Sequence, residues 1–102
     1  LDSEGWFFNL FAYNAFISAC VRNGAVQLAE QTHAEMKKNN IEPNIVTFNL
    51  LLHGNALRKD ANRATHIWQR MISDGFDPDI VSYTALLDTY MRSGNIQRAL
   101  QL

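Results

Sequence analysis

The chain repeats itself every 35 residues, and this periodicity constrains its fold more than any other feature. Displaced by that interval, Ala29, Ala64 and Ala99 coincide, as do Met36 with Met71, Pro43 with Pro78, Asn14 with Asn49 and Gly24 with Gly94. Ile45-Val46-Thr47-Phe48 falls on Ile80-Val81-Ser82-Tyr83, and Leu51-Leu52 on Leu86-Leu87. The frame gives one unit at 10–44, a second at 45–79 and a truncated third at 80–102. Residues 1–9 fall in register as the tail of a preceding unit, with Leu1 in the slot of Met36, Gly5 in that of Gly75, and Asn9 in that of Asn44 and Asp79.

Each unit reads as two helices. Tyr13, Phe16, Ile17, Cys20 and Val21 recur at helical spacing and predict a helix from Phe11 to about Val21, stopped by Asn23-Gly24. A second helix is expected from about Val26 to Lys38, closed by Asn39-Asn40 with Pro43 beyond. The middle unit repeats this with helices near Val46–Leu57 and Asn62–Ser73, and Asp74-Gly75 and Pro78 close it. The third offers Val81–Met91, a turn at Ser93-Gly94 and the start of a last helix. No β-alternating run competes. The expected architecture is all-α, a solenoid of helical hairpins in which each hairpin buries its apolar face on its neighbours. The alanines at 29, 64 and 99 suit a close crossing of the two helices of a hairpin. Trp68, Met36, Met71 and the leucine pairs are expected in the core.

Composition narrows the function classes. With 102 residues and 47% hydrophobic content, the chain can form one small domain or a few repeat units, but not a catalytic domain as well. Cys20 is the single cysteine, so no disulfide can form within the chain, and a reducing or organellar interior suits it better than secretion. A net charge of −1 neither demands nor forbids nucleic acid. No apolar run approaches the roughly 20 residues of a membrane span, and no transit peptide is visible. The sequence opens without Met and closes inside a helical pattern at Ile96–Leu102, as a segment of something longer would.

Thr-Phe-Asn-Leu-Leu-Leu at 47–52, the recurring Ala and Met, and the linkers Ile41-Glu42-Pro43-Asn44 and Phe76-Asp77-Pro78-Asp79 together resemble the pentatricopeptide-repeat family. The resemblance covers the whole chain, and the tandem spacing makes it specific. Tetratricopeptide repeats are the nearest rival, but their Trp and Gly-x-x-Tyr marks are not in place. Several positions depart from the family pattern. Phe8 stands in the slot of the closing proline, Gly54-Asn55 interrupts the first helix of the second unit, Lys59 replaces the turn glycine, and His33 occupies an apolar aromatic position. These suggest a diverged natural array rather than a consensus design.

The resemblance implies an α-solenoid of tandem helix-turn-helix repeats wound as a right-handed superhelix. It further implies a partner, single-stranded RNA. Such arrays are the standing example of one base per helical repeat, read by two or three side chains. Carried over by position, the base-reading side chains would be Asn14, Asn49 and Thr84. They would be assisted by the last residue of each unit, Asn44 and Asp79, with Asn9 in the same slot at the start. Phe11, Val46 and Val81 would sandwich the bases. Arg22 and Arg92 share the phosphate-facing slot, which is Leu57 with Arg58 beside it in the middle unit. The family's pairing rules then give a pyrimidine for Asn14/Asn44, U for Asn49/Asp79 and a purine for Thr84, with the RNA parallel to the chain.

The residue chemistry is compatible with those roles. An amide carries donor and acceptor and matches a pyrimidine edge, a hydroxyl leaves room for a purine, and a carboxylate only accepts. Asn and Asp before helices also serve as caps, and that reading stands beside the first. His33, His53 and His66 form no ligand spacing with Cys20, and Asp77, Asp79 and Asp88 belong mostly to a linker, so no metal or cofactor is expected. No phosphate loop, nucleophile elbow or zincin motif occurs, and no enzymatic activity is expected. Sequence-selective RNA binding in a mitochondrion or chloroplast is the favoured reading. A protein-binding scaffold within an organellar ribonucleoprotein or polymerase assembly is the alternative.

Overall fold

A computed structural model describes residues 3–101, with side chains from residue 9 onward. It contains α1 (Ser3–Arg22), α2 (Val26–Lys38), α3 (Ile45–Leu57), α4 (Ala61–Ser73), α5 (Ile80–Arg92) and the short α6 (Ile96–Leu100). Consecutive helices pair as hairpins. α1 packs on α3 and α3 on α5, so the first helices of the hairpins form one layer, with α2 and α4 behind it. The described residues span 48 × 28 × 20 Å.

The punctuation of the helices comes from the repeated residues. α3 and α5 begin at capping boxes. The side chain of Asn44 accepts from the Thr47 N–H while the Thr47 hydroxyl accepts from the Asn44 N–H, and Asp79 and Ser82 do the same one unit on. α1 to α5 all end in left-handed residues: Gly24, Asn40, Lys59, Gly75 and Gly94, with φ between 57° and 90°. In each case the N–H of the next residue reaches back to a carbonyl five positions earlier, as Ala25 does to Cys20 at 2.8 Å and Asn95 to Tyr90 at 2.7 Å. Lys59 therefore adopts at a steric cost the conformation that Gly24 and Gly94 adopt freely.

Three expectations need correction. α1 does not begin at Phe11 but runs unbroken from Ser3. Phe8 in the slot of Pro43 and Pro78 leaves nothing to force extended backbone there, so Asn9 lies inside a helix where Asn44 and Asp79 precede one. The matching of Leu1 to Met36 falls outside the described residues. Gly54 and Asn55 do not interrupt α3; both are buried within it. A Cβ on Gly54 would stand 3.2 Å from methyls of both Val21 and Val26, so the glycine allows α3 to approach the first hairpin. The leucine pairs are core except for Leu87, which is 37% exposed.

The core runs through all three hairpins, with Ile17, Ala29, Met36, Phe48, Leu52, Ala64 and Met71 fully enclosed. His33 packs edge-on to Phe48 at 5.4 Å, as Trp68 packs on Tyr83 at 4.9 Å one unit later. Its Nε2 is buried without a partner among the described residues. Burial first, then Lys37 and Arg70, push its pKa down from 6.5 to about 4, with Asp74 and Glu30 opposing. A histidine held neutral in the fold but free to protonate when unfolded costs stability in acid. Stability should therefore fall as pH drops from 6.5 towards about 4. His33→Phe is expected to flatten that slope and to raise stability at neutral pH by about 1 kcal/mol, since it removes an unpaired buried nitrogen. Urea unfolding across that pH range checks both, and an unchanged slope would assign the pH dependence elsewhere.

Candidate functional site

The capping boxes of α3 and α5 are also where neighbouring hairpins meet. Asn14, on α1, donates from Nδ2 to Asn44 Oδ1 at 3.1 Å, and its own Oδ1 accepts from the Thr47 hydroxyl at 2.5 Å. Thr47 N–H donates to Asn44 Oδ1 at 3.1 Å. One unit on, Asn49 Nδ2 donates to Asp79 Oδ1 at 3.2 Å, Ser82 Oγ donates to Asn49 Oδ1 at 2.5 Å, and Ser82 N–H donates to Asp79 Oδ1 at 3.0 Å. The same three-residue cluster thus forms twice. Each of the residue pairs expected to act together, Asn14 with Asn44 and Asn49 with Asp79, is in direct hydrogen-bond contact across 30 residues of sequence. Capping and pairing prove compatible, because one side-chain oxygen of Asn44 or Asp79 serves both.

What remains unused by the clusters differs between units. Asn14 and Asn49 each keep one Nδ2 proton and one oxygen lone pair. Asn44 keeps its amide N–H groups as donors, whereas Asp79 keeps a second carboxylate oxygen as acceptor. The Ser82 N–H first, and the Asn49 amide with it, hold the exposed Asp79 carboxyl below the usual carboxylate range, so it is ionised at neutral pH. Thr84 has a different arrangement. Its hydroxyl donates to Ile80 O at 2.7 Å and is left able only to accept. It lines a groove between α3 and α5 with Val81, Asp88 and His53.

Phe11, Val46 and Val81 occupy equivalent positions at the starts of their units and are 68%, 49% and 54% exposed. Three large apolar side chains in one slot are uncovered, while Thr47 and Ser82, which follow Val46 and Val81, are fully buried. Arg22 closes α1, exposed and without an acidic partner among the described residues. Arg92 closes α5 but is held by both carboxylate oxygens of Asp88, at 3.0 and 2.9 Å. Arg58 does not join them; its guanidinium is turned to Glu30 of α2, 4.0 Å away. Asn9, inside α1, lines a groove with Tyr13, Phe16 and Glu35 and has no counterpart of the cap cluster among the described residues. Among the described residues no three His, Cys, Asp or Glu side chains converge as metal ligands, and no helix is long and apolar enough to cross a membrane.

Thr47 and Ser82 were not singled out by sequence reasoning, yet both are fully buried at the centre of the clusters. The spacing Asn44-x-x-Thr47, repeated as Asp79-x-x-Ser82, is the signal that could have found them.

Sequence models of the PPR repeat family match residues 9–57, and those of the pentatricopeptide repeat domain match 50–92 and 66–102. The chain belongs to the pentatricopeptide-repeat family. A chloroplastic pentatricopeptide repeat-containing protein of Arabidopsis thaliana is 35% identical over 77 residues, which is 74% of this chain and 10% of the relative. A mitochondrial one from the same plant is 32% identical over 91 residues, 88% of this chain and 10% of the relative. Among solved structures, the pentatricopeptide repeat protein PPR10 in complex with an 18-nt psaJ RNA element superposes with a TM-score of 0.84 at 32% identity, covering 87% of this chain and 13% of that one. PPR10 from maize, in a further crystal structure, gives a TM-score of 0.82 at 22% identity, with 90% and 13% covered. This chain therefore spans only about a tenth of the length of these pentatricopeptide-repeat proteins. The all-α solenoid expected from the sequence is the fold observed.

Proposed function

We propose that this chain binds single-stranded RNA along the layer formed by α1, α3 and α5, reading one base per unit in the frame 10–44, 45–79 and 80–102. One observation carries the reading. Two side chains with complementary hydrogen-bonding capacity meet at each unit boundary, beside an exposed apolar wall, and the arrangement recurs at the repeat interval. The RNA in the PPR10 complex supports the same partner class. The relatives named as chloroplastic and mitochondrial support an organellar RNA. The role is recognition, not catalysis.

The remaining valences define the base. Uracil presents a donor N–H between two carbonyls, so the ionised Asp79 accepts from that N–H, directly or through a water, while the spare Asn49 proton meets a carbonyl. Cytosine presents an acceptor in place of the N–H and is disfavoured. Asn44 carries an amide where Asp79 carries a charge, so the first unit accepts either pyrimidine. Thr84 leaves room for a purine. Phe11, Val46 and Val81 wall the bases, aromatic stacking being worth roughly 1–3 kcal/mol per base. Arg22 and Arg92 are the phosphate contacts, Arg92 after release from Asp88. Arg58 is available on the same terms, on release from Glu30 4.0 Å away, whereas Asn9, inside α1, stands outside the pattern of Asn44 and Asp79.

The test is fluorescence anisotropy of the full chain with short RNAs that differ only at the base opposite the second unit, at fixed salt. The wild type is expected to prefer U, by about tenfold over G, and Asn49→Thr to move the preference towards G. Salt-sensitive binding with no base preference would leave a backbone binder. The engagement of Arg92 with Asp88 and of Arg58 with Glu30 favours a second reading, a scaffold for protein partners. Absence of RNA binding would select it.

A further inference from the structure

We infer that Thr47 and Ser82 are positioning residues that set which edge Asn14 and Asn49 present to a base, so that the base preference of one unit depends on a hydroxyl in the next. The inference rests on the RNA-binding reading above and goes beyond the residues assigned to the base.

The proton count makes the case. Thr47 has one hydroxyl proton and two acceptors within reach, Asn14 Oδ1 at 2.5 Å and Asn44 Oδ1 at 3.1 Å. The Asn44 oxygen already accepts from Thr47 N–H and from Asn14 Nδ2, each at 3.1 Å. The hydroxyl proton therefore goes to Asn14. Ser82 repeats the choice, with Asn49 Oδ1 at 2.5 Å and Asp79 Oδ1 at 2.9 Å. Both hydroxyls are fully buried, so water does not compete for them.

The consequence is chemical. A carboxamide turned over about its last torsion exchanges its N–H and C=O positions, and with them the base edge it matches. Asn14 and Asn49 are gripped at two points, the nitrogen by the cap oxygen and the oxygen by the hydroxyl. This fixes which remaining valence points outward. Without the hydroxyl the carbonyl end is free to rotate, and a unit that distinguishes base edges loses its means of doing so. A hydroxyl that served only the capping box would not reach 33 residues back to a neighbouring unit.

The experiment uses the full chain and the same RNA series, varied in turn opposite the first and the second unit. Thr47→Val keeps the shape and removes the hydroxyl. It is expected to reduce pyrimidine-over-purine discrimination about tenfold at the first base, to leave the second base's preference intact, and to be rescued by Thr47→Ser. Ser82→Ala is expected to do the same at the second base alone, and it decides the question if Thr47→Val fails to fold. Discrimination that survives loss of the hydroxyl overturns the inference. So does discrimination lost equally at both bases, or lost in Thr47→Ser, since a general loosening of the cap produces those results. A wild-type chain with no base preference instead overturns the RNA-reading proposal itself.

Discussion

Phe48→Ala should lower the unfolding free energy by about 3–5 kcal/mol, a large part of the roughly 5–15 kcal/mol available to a domain of this size. Phe48 is fully buried in α3. Its ring meets His33 of α2 at 5.4 Å and Phe76, beyond α4, at 5.5 Å with the planes tilted by 53°. One side chain thus ties the first hairpin, the middle hairpin and the linker that follows. In a stacked array each unit is stable largely through its neighbours, and a cavity at the centre weakens both boundaries together. Far-UV circular dichroism during urea unfolding measures the loss. Phe48→Leu, which refills much of the space, should recover more than half of it. A loss below about 1 kcal/mol for Phe48→Ala would mean that the hairpins close over the vacancy, contrary to the usual incomplete relaxation of packed cores.

The same boundary shows why some of this molecule was legible in its sequence and some was not. The repeat interval placed Asn14 and Asn49 in one slot and Asn44 and Asp79 in another, and a slot shared by tandem units must occupy equivalent space. The pairing of Asn14 with Asn44 and of Asn49 with Asp79 was not in the interval itself; it was what the resemblance to the family implied. The start of α1 was misplaced because the interval was extended into residues 1–9 where the residues that enforce the linker, Pro43 and Pro78, have no equivalent. Gly54 was misread because helix propensity is a local quantity. Its role is set by the methyls of Val21 and Val26, on the other side of a packing contact. The contact of Arg58 with Glu30 was hidden for a related reason, its partner being 28 positions away on a different helix. Thr47 carried a visible capping signal, but its second bond, to Asn14, exists only once the hairpins stack.

Glu30→Ala is expected to cost about 2 kcal/mol, and most of that at the junction of the first two hairpins. α2 and α4 make no close backbone approach; long side chains bridge them. Glu30, whose side chain is only 14% exposed, receives Arg63 in a close ion pair, Arg58 at 4.0 Å and the amide of Asn55 at 3.4 Å. Asn55 is fully buried and its Oδ1 has no partner among the described residues, so losing Glu30 deprives an already under-satisfied group. The two arginines are each 45% exposed, which screens the charge and keeps the cost below that of a fully buried pair. One unit later the equivalent positions solve the same contact without charge, Thr65 bonding Tyr90 at 2.7 Å. The second bridge, Lys37 to Asp74 at 3.4 Å, has both partners about 30% exposed, and the other cation at Asp74 is Arg70 of α4, 3.6 Å away and half exposed. Lys37→Ala should therefore cost less than about 0.5 kcal/mol. A double-mutant cycle of Glu30→Ala with Arg63→Ala, read by urea unfolding, is expected to give a coupling of about 1 kcal/mol that shrinks at high salt. A cycle that closes to zero would reduce Glu30 to an ordinary surface acid. A coupling of the expected size adds Glu30 to Phe48 and Gly54 among the residues that set how the first hairpin sits on the second.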